Sequence, residues 1–355
     1  MKQIRIMKGD SLSTDLLRAS SFVIPSAFVL RLSSFLILLA ALRGAIVAPA
    51  AEPVERPTVL LVVGASGEIE YGTNFAQWAA RWEKASRDGG AKFVSIGLGE
   101  TNALSDLARL KEALSDETRE SAAELWLVLI GHGTFDGKEA KFNLRGPDLS
   151  ATDLAEWLKL FHRPLAVINC ASSSGPFIGK LSATNRVVIA ATRSGYEQNY
   201  ARFGEYIAGA VADPQADLDK DGQTSLLEAF LMASRQVAEF YETAGRLATE
   251  HALLDDNGDG LGTPADWFRG IRAVKKAKEG ALADGLRAHQ FHMVRSEQER
   301  RLSLEMRAKR DDLELGIARL REAKSRLKED DYYQRLEQML TGLAKLYEQE
   351  GSKPQ

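Results

Sequence analysis

Four short apolar runs and one mixed run, 91–96, punctuate the chain between residues 58 and 191, and each ends in small or polar residues. Thr58-Val59-Leu60-Leu61-Val62-Val63 ends at Gly64-Ala65-Ser66-Gly67. Residues 91–96 form the second run. Leu125-Trp126-Leu127-Val128-Leu129-Ile130 ends at Gly131-His132-Gly133, and Leu165-Ala166-Val167-Ile168 ends at Asn169-Cys170. Residues 186–191 form the fifth. Unbroken apolar runs of this length suit strands buried on both faces, as in a parallel sheet. Helical spacing fills the intervals. Residues 75–86 carry Phe75, Trp78, Ala79 and Trp82 on one stripe, and residues 105–124 read as a polar helix. Residues 150–161 open with Ser150 as N-cap and Asp153 completing a capping box. Residues 203–211 and 226–241 continue the alternation. The pattern predicts an α/β/α sandwich with a mostly parallel sheet, in which chemistry collects at the carboxyl ends of strands.

The texture changes at both ends. Residues 271–350 lack proline and are rich in Glu, Lys, Arg, Leu and Ala. Met306, Leu313, Leu320 and Leu327 recur every seven residues, and Leu336, Leu340, Leu343 and Tyr347 extend the stripe. Residues 271–355 therefore read as a helical hairpin or coiled coil broken near 328–331, suited to packing, to self-association or to covering a site on the core. At the other end, residues 1–51 combine basic residues, the apolar run Phe35-Leu36-Ile37-Leu38-Leu39-Ala40-Ala41-Leu42 and small residues at Ala48 and Ala50. That is the layout of a secretory signal peptide or, if it is not cleaved, of a membrane anchor over 21–48. Either reading puts residues 57–355 outside the cytoplasm, secreted or periplasmic.

Charge and cysteine count narrow the chemistry. The net charge is −3, and residues 1–50 hold six basic and two acidic side chains, so the remainder carries −7. Nothing in that balance calls for nucleic acid. A single cysteine, Cys170, excludes an internal disulfide and any multi-cysteine zinc site.

Two acidic segments carry calcium-loop spacing. Asp217, Asp219 and Asp221 stand at positions one, three and five of a twelve-residue EF-hand-like loop, 217–228. Gly222 is at six, the Gln223 carbonyl at seven and Glu228 at twelve. Asp255, Asn257, Asp259, Gly260 and Asp266 repeat the pattern over 255–266, with a shorter acid at twelve and Pro264 at ten. Each segment also reads as an acidic turn or helix start, and a third reading has both loops serving one shared site.

His132 and Cys170 each follow a strand, as a general base and a thiol nucleophile would. The N–H groups of Gly133 and Cys170 are the natural oxyanion donors. Taken alone, Cys170 reads more readily as a small buried hydrophobe. The strand-Gly-His-Gly block over 127–133 and the block Ile168-Asn169-Cys170-Ala171-Ser172-Ser173-Ser174-Gly175 resemble the caspase-like cysteine peptidases, the group of caspases, metacaspases, gingipains and legumains. Val63-Gly64-Ala65-Ser66-Gly67 is similar to the legumain first-strand motif, with Ser66 where legumains carry Asn. The resemblance covers about 57–212 of the domain 57–270. It implies a caspase-like fold, a His132–Cys170 dyad and a thioacyl intermediate on a polypeptide substrate. It also implies a primary pocket near Arg193 and Glu197, which equally could pair with each other. Two functions follow as expectations: a calcium-binding cysteine endopeptidase without an organic cofactor, or a catalytically inactive calcium-binding interaction module of the cell envelope.

Overall fold

The computed structural model describes residues 55–99, 104–278 and 281–351. The signal or anchor expected over 1–51 lies outside the described residues. Strand β1 (Thr58–Val63) is followed by helix α1 (Ile69–Asp88), β2 (Lys92–Ile96), α2 (Asp106–Asp116) and β3 (Leu125–Ile130). A small antiparallel sheet comes next, from β4 (Gly133–Phe135), β5 (Ala140–Phe142) and β6 (Leu149–Ser150). Then come α3 (Ala151–Leu158), β7 (Leu165–Asn169), α4 (Pro176–Leu181), β8 (Arg186–Ala190), α5 (Phe203–Ala210) and α6 (Leu226–Thr243). The strands β9 (Leu253–Asp255) and β10 (Thr263–Pro264) complete a seven-stranded sheet of order β10-β9-β8-β7-β3-β1-β2. Its five central and edge strands from β8 to β2 pair in parallel, while β9 and β10 join antiparallel.

The alternation of side chains across the sheet divides the core. Val59, Val128, Ile168 and Ile189 face one layer with α1, α5 and α6, while Leu60, Leu127, Val167 and Val188 face the other with α2, α3 and α4. The α/β/α sandwich with a mostly parallel sheet is thus present. Burial on both faces is why these strands are continuously apolar in sequence.

Several local readings differ. The helix expected over 105–124 ends at Asp116, where Glu117 turns extended and its carboxylate meets the buried Arg163 at 3.2 Å. The β4–β6 sheet, α4 and the antiparallel β9–β10 edge have patterns too short to announce themselves.

The region after 270 is not helical throughout. Residues 284–296 run as an irregular strap that puts Ala288, Phe291 and Met293 into the α5–α6 side of the core. Helices α7 (Glu297–Arg301), α8 (Leu304–Glu322) and α9 (Glu329–Gly351) follow, and α8 and α9 form a hairpin. Gly316 and Gly342 let the two approach closely, since a Cβ on either would come within 3.3 Å of Met339 or Leu313. Leu304, Arg307 and Asp311 share a cavity with Ser121, Pro164 and Asn185, which precede β3, β7 and β8. The helical arm therefore lies at the amino ends of the strands, away from the end carrying His132 and Cys170. No helix among the described residues is long and apolar enough to cross a membrane.

Candidate functional site

Strands β3 and β7 are paired in parallel with Leu129 opposite Asn169, so His132 and Cys170 issue from neighbouring strand ends. Cys170 belongs to the α1/α5/α6 side of the core. It has no exposed surface. A Cβ on Gly204 of α5 would stand 2.8 Å from the Cys170 Cβ and from the Trp78 ring, so these three groups pack directly together. Burial pushes the thiol above its ordinary range, and the Glu250 charge adds to the shift. A thiolate nucleophile needs the reverse: access and a nearby cation.

His132 lies among aromatic rings, with edge contacts to Tyr71 at 5.0 Å and Phe75 at 5.3 Å. Its Nε2–H donates to the Ser66 carbonyl at 3.2 Å. Both expected oxyanion donors are spent within the fold. The Cys170 N–H donates to the Leu129 carbonyl at 2.9 Å, and the Gly133 N–H donates to Ser172 Oγ at 3.1 Å. The Ser172 hydroxyl donates back to the Gly133 carbonyl. Gly133 has a packing reason to be glycine, because a Cβ there would meet the Ser172 carbonyl oxygen at 2.3 Å.

Arg193 and Glu197 pair with each other, Nε to Oε1 at 3.1 Å. Glu197 also takes His251 Nδ1 at 2.6 Å and the N–H groups of Arg193 and His251, so its carboxylate is fully engaged. His251 had no local signal in the sequence, because 54 positions separate it from Glu197.

The two acidic segments fold alike. In the first loop Asp217 accepts from the N–H groups of Lys220 and Gly222, Asp219 from Asp221, and Asp221 from Gln223. In the second, Asp255 accepts from Gly258 and Gly260, Asn257 from Asp259, and Asp259 from Leu261. These are the same four bonds at the same loop positions. Positions four and six are left-handed in both, at Lys220 and Gly222 and at Gly258 and Gly260. Carboxylate oxygens of Asp217, Asp219 and Asp221 lie within 4.8 Å of one another.

Closure of the two loops draws on different parts of the chain. Glu228 Oε1 accepts from the Leu218 and Asp219 N–H groups, and its Oε2 accepts from the Ser225 hydroxyl. Asp266 does nothing comparable. The chain leaves the loop through β10 and a 3-10 turn, Ala265–Trp267, which carry Asp266 to an apolar groove beside Leu218 and Met232. In its place Asp284 Oδ1 accepts from Asp256 and Asn257 at 3.0 and 3.1 Å, and Oδ2 accepts from the Thr263 hydroxyl at 2.5 Å. Ser225 and Thr263 are both ninth in their loops. Sequence reading missed Asp284 because it lies 18 positions beyond Asp266; the only hint was an acid beside Gly285, which is left-handed.

Electrostatics favour a cation at the second loop. Asp255, Asp256 and Asp284 are buried, and no Lys or Arg pairs with them within 4.0 Å among the described residues. Burial raises all three carboxyl pKa values, and the mutual repulsion of Asp256 and Asp284 raises Asp284 further. Asp259 Oδ2 is enclosed and accepts no hydrogen bond. An orphaned carboxylate oxygen in an oxygen-only donor set fits a hard cation. Beside the first loop, His289 Nε2 lies 3.3 Å from Asp219 Oδ2.

No protein-family model matches this chain, and no curated protein does. Among solved structures it is similar to the Drosophila initiator caspase Dronc, with 14% identity over 59% of this chain and 82% of that one at a TM-score of 0.37. A protein from Geobacter sulfurreducens is similar at 10% identity over 51% and 89%, TM-score 0.37. Caspase-1 from Spodoptera frugiperda is similar at 11% identity over 57% and 87%, TM-score 0.37. Likeness at this level assigns no chemistry to His132 or Cys170.

Proposed function

We propose that this chain is an exported calcium-binding protein on a caspase-like sandwich, with one ion in each acidic loop and no working Cys170–His132 dyad in this conformation. The observation that carries the reading is the repetition of four backbone-to-side-chain bonds and one closing carboxylate in two loops whose closing acids come from different distances along the chain. Asp217, Asp219, Asp221, the Gln223 carbonyl and Glu228 would hold the first ion. Asp255, Asn257, Asp259, the Leu261 carbonyl and Asp284 would hold the second. Calcium supplies a charge that takes six to eight oxygens, and here it would offset carboxylates that otherwise repel each other. Extracellular calcium sites work at affinities as weak as roughly millimolar, which suits a protein outside the cytoplasm. Isothermal titration with calcium tests the reading. Two ions per chain are expected, falling to one in Glu228→Gln and one in Asp284→Asn; no heat of binding in the wild type overturns it.

A second reading has one observation in its favour: His132 and Cys170 leave adjacent parallel strands. In that reading the chain is a cysteine endopeptidase in which α5 must lift from Cys170 before a polypeptide can reach the sulfur. Peptide-library hydrolysis by the wild type and its loss in Cys170→Ala would decide for the peptidase. Equal rates in the two proteins would remove it.

A further inference from the structure

One segment touches both loops, and it belongs to neither. The strap 284–296 closes the second loop through Asp284, and the Asp256 carboxylate in that loop accepts in return from the Gly285 and Ala288 N–H groups at 2.9 and 2.7 Å. Five residues further on, His289 bridges to the first loop, with Nε2 near Asp219 and Nδ1 3.2 Å from Ser225 Oγ. The Leu226 N–H donates to the Phe291 carbonyl at 2.8 Å, and Ser225 and His292 form an isolated antiparallel bridge. The Ser296 N–H donates to Gln223 Oε1 at 3.2 Å. The strap thus contacts loop two at its start and loop one through its middle and end.

We propose that the strap couples the two ions, so that calcium in either loop tightens the other. The proposal rests on the calcium reading. Its physical basis is shared ordering. Ala288, Phe291 and Met293 anchor the strap in the core, while its start, 284–287, is irregular, so fixing that start against the second loop costs conformational entropy. An ion that fixes loop one fixes the strap through Ser225 and Gln223, and the same docked strap presents Asp284 to loop two. The second ion then binds to a segment already ordered. By linkage the effect is reciprocal: if the first loop's ion raises affinity at the second, the second raises it at the first by the same factor.

Calcium titration of the full chain by isothermal calorimetry tests the coupling. The wild type is expected to bind two ions, the second at least about fivefold tighter than independent sites allow, the low end of typical coupling. Asp284→Asn is expected to bind one ion, with loop one weakened by a similar factor although none of its donors has changed. His289→Ala removes a strap contact and no oxygen donor. It is expected to keep both ions and to lose the excess affinity of the second, which keeps the test alive should Asp284→Asn fail to fold. Two independent ions in the wild type, or an unchanged loop-one affinity in Asp284→Asn, would overturn the coupling and leave the calcium reading standing. No binding in the wild type would overturn both.

Discussion

Asp284 stands to the second acidic loop as Glu228 stands to the first. Each carboxylate takes the N–H groups of the second and third loop residues on one oxygen and the hydroxyl of the ninth residue on the other. Glu228 is itself the twelfth residue of its loop, whereas Asp284 arrives from the strap. On that equivalence Asp266 is expected to be dispensable for the proposed calcium binding and Asp284 necessary.

Calcium stabilisation should separate these two acids. A ligand bound only to the native state stabilises it by about 2.7 kcal/mol at a hundredfold excess over Kd. Thermal midpoints with calcium and with chelator are expected to differ in the wild type and equally in Asp266→Asn. In Asp284→Asn the difference should shrink by about half. An Asp266→Asn protein that lost the calcium response would show the loop closed by its own twelfth residue after all.

Cys170 should behave as a core residue. With the thiol raised by burial, the folded protein holds its proton at pH values where the unfolded chain has released it. Stability is therefore expected to be unaffected below about pH 8 and to fall above it, since the unfolded state then binds fewer protons. Labelling by a thiol reagent at pH 7.5 should be slow in the native protein and fast in denaturant. Fast native labelling would mean that the sulfur is accessible.

Gly204→Ala should destabilise although alanine favours helices. The new methyl would sit 2.8 Å from both Cys170 and Trp78. Overpacking of this kind costs about 1–3 kcal/mol, more than the roughly 1 kcal/mol that Ala gains over Gly in a helix. Urea unfolding measures the balance, and a midpoint at or above that of the wild type would show that α5 can shift away from Cys170.

His292 predicts acid sensitivity. It is 6% exposed, its Nε2 has no hydrogen-bond partner, and burial lowers its pKa to about 3. The unfolded chain takes up a proton near pH 6.5 while the folded one stays neutral, so stability is full above that value. It should be lost at about 1.4 kcal/mol per pH unit as pH falls toward 3. His292→Gln should flatten that slope in chelator; a variant with the same slope would assign the acid loss to other groups.

Truncation should distinguish strap from arm. Ending the chain at Gly270 removes Asp284 and the core residues Ala288, Phe291 and Met293, and is expected to give insoluble or non-cooperatively unfolding protein. Ending it at Ser303 removes only the α8–α9 hairpin and should leave a folded core. A soluble, cooperative 1–270 chain would show that the strap is an accessory.

The sequence by itself determined the elements whose causes are local. The bounds of β1 and β3 coincide with their apolar runs, because a strand covered on both faces must be apolar at every position. The closure of the first loop was readable because Asp217, Asp219, Asp221 and Glu228 all fall within twelve residues. The Arg193–Glu197 pair was readable as one of two alternatives for the same reason of proximity. Tertiary structure alone decided the rest. Cys170 directly follows Asn169, the last residue of β7 to pair with β3, which suits a nucleophile and a core residue alike; packing by Trp78 and Gly204, from helices on either side of it in the chain, makes it core. Asp284 reaches the second loop from 27 and 28 positions away, beyond any spacing rule. The helical arm's stripe declared that it would bury a face, but its place at the amino ends of the strands follows from partners such as Asn185 and Pro164, distant in sequence. Periodicity records which side of an element is buried, and only the folded chain decides what lies against it.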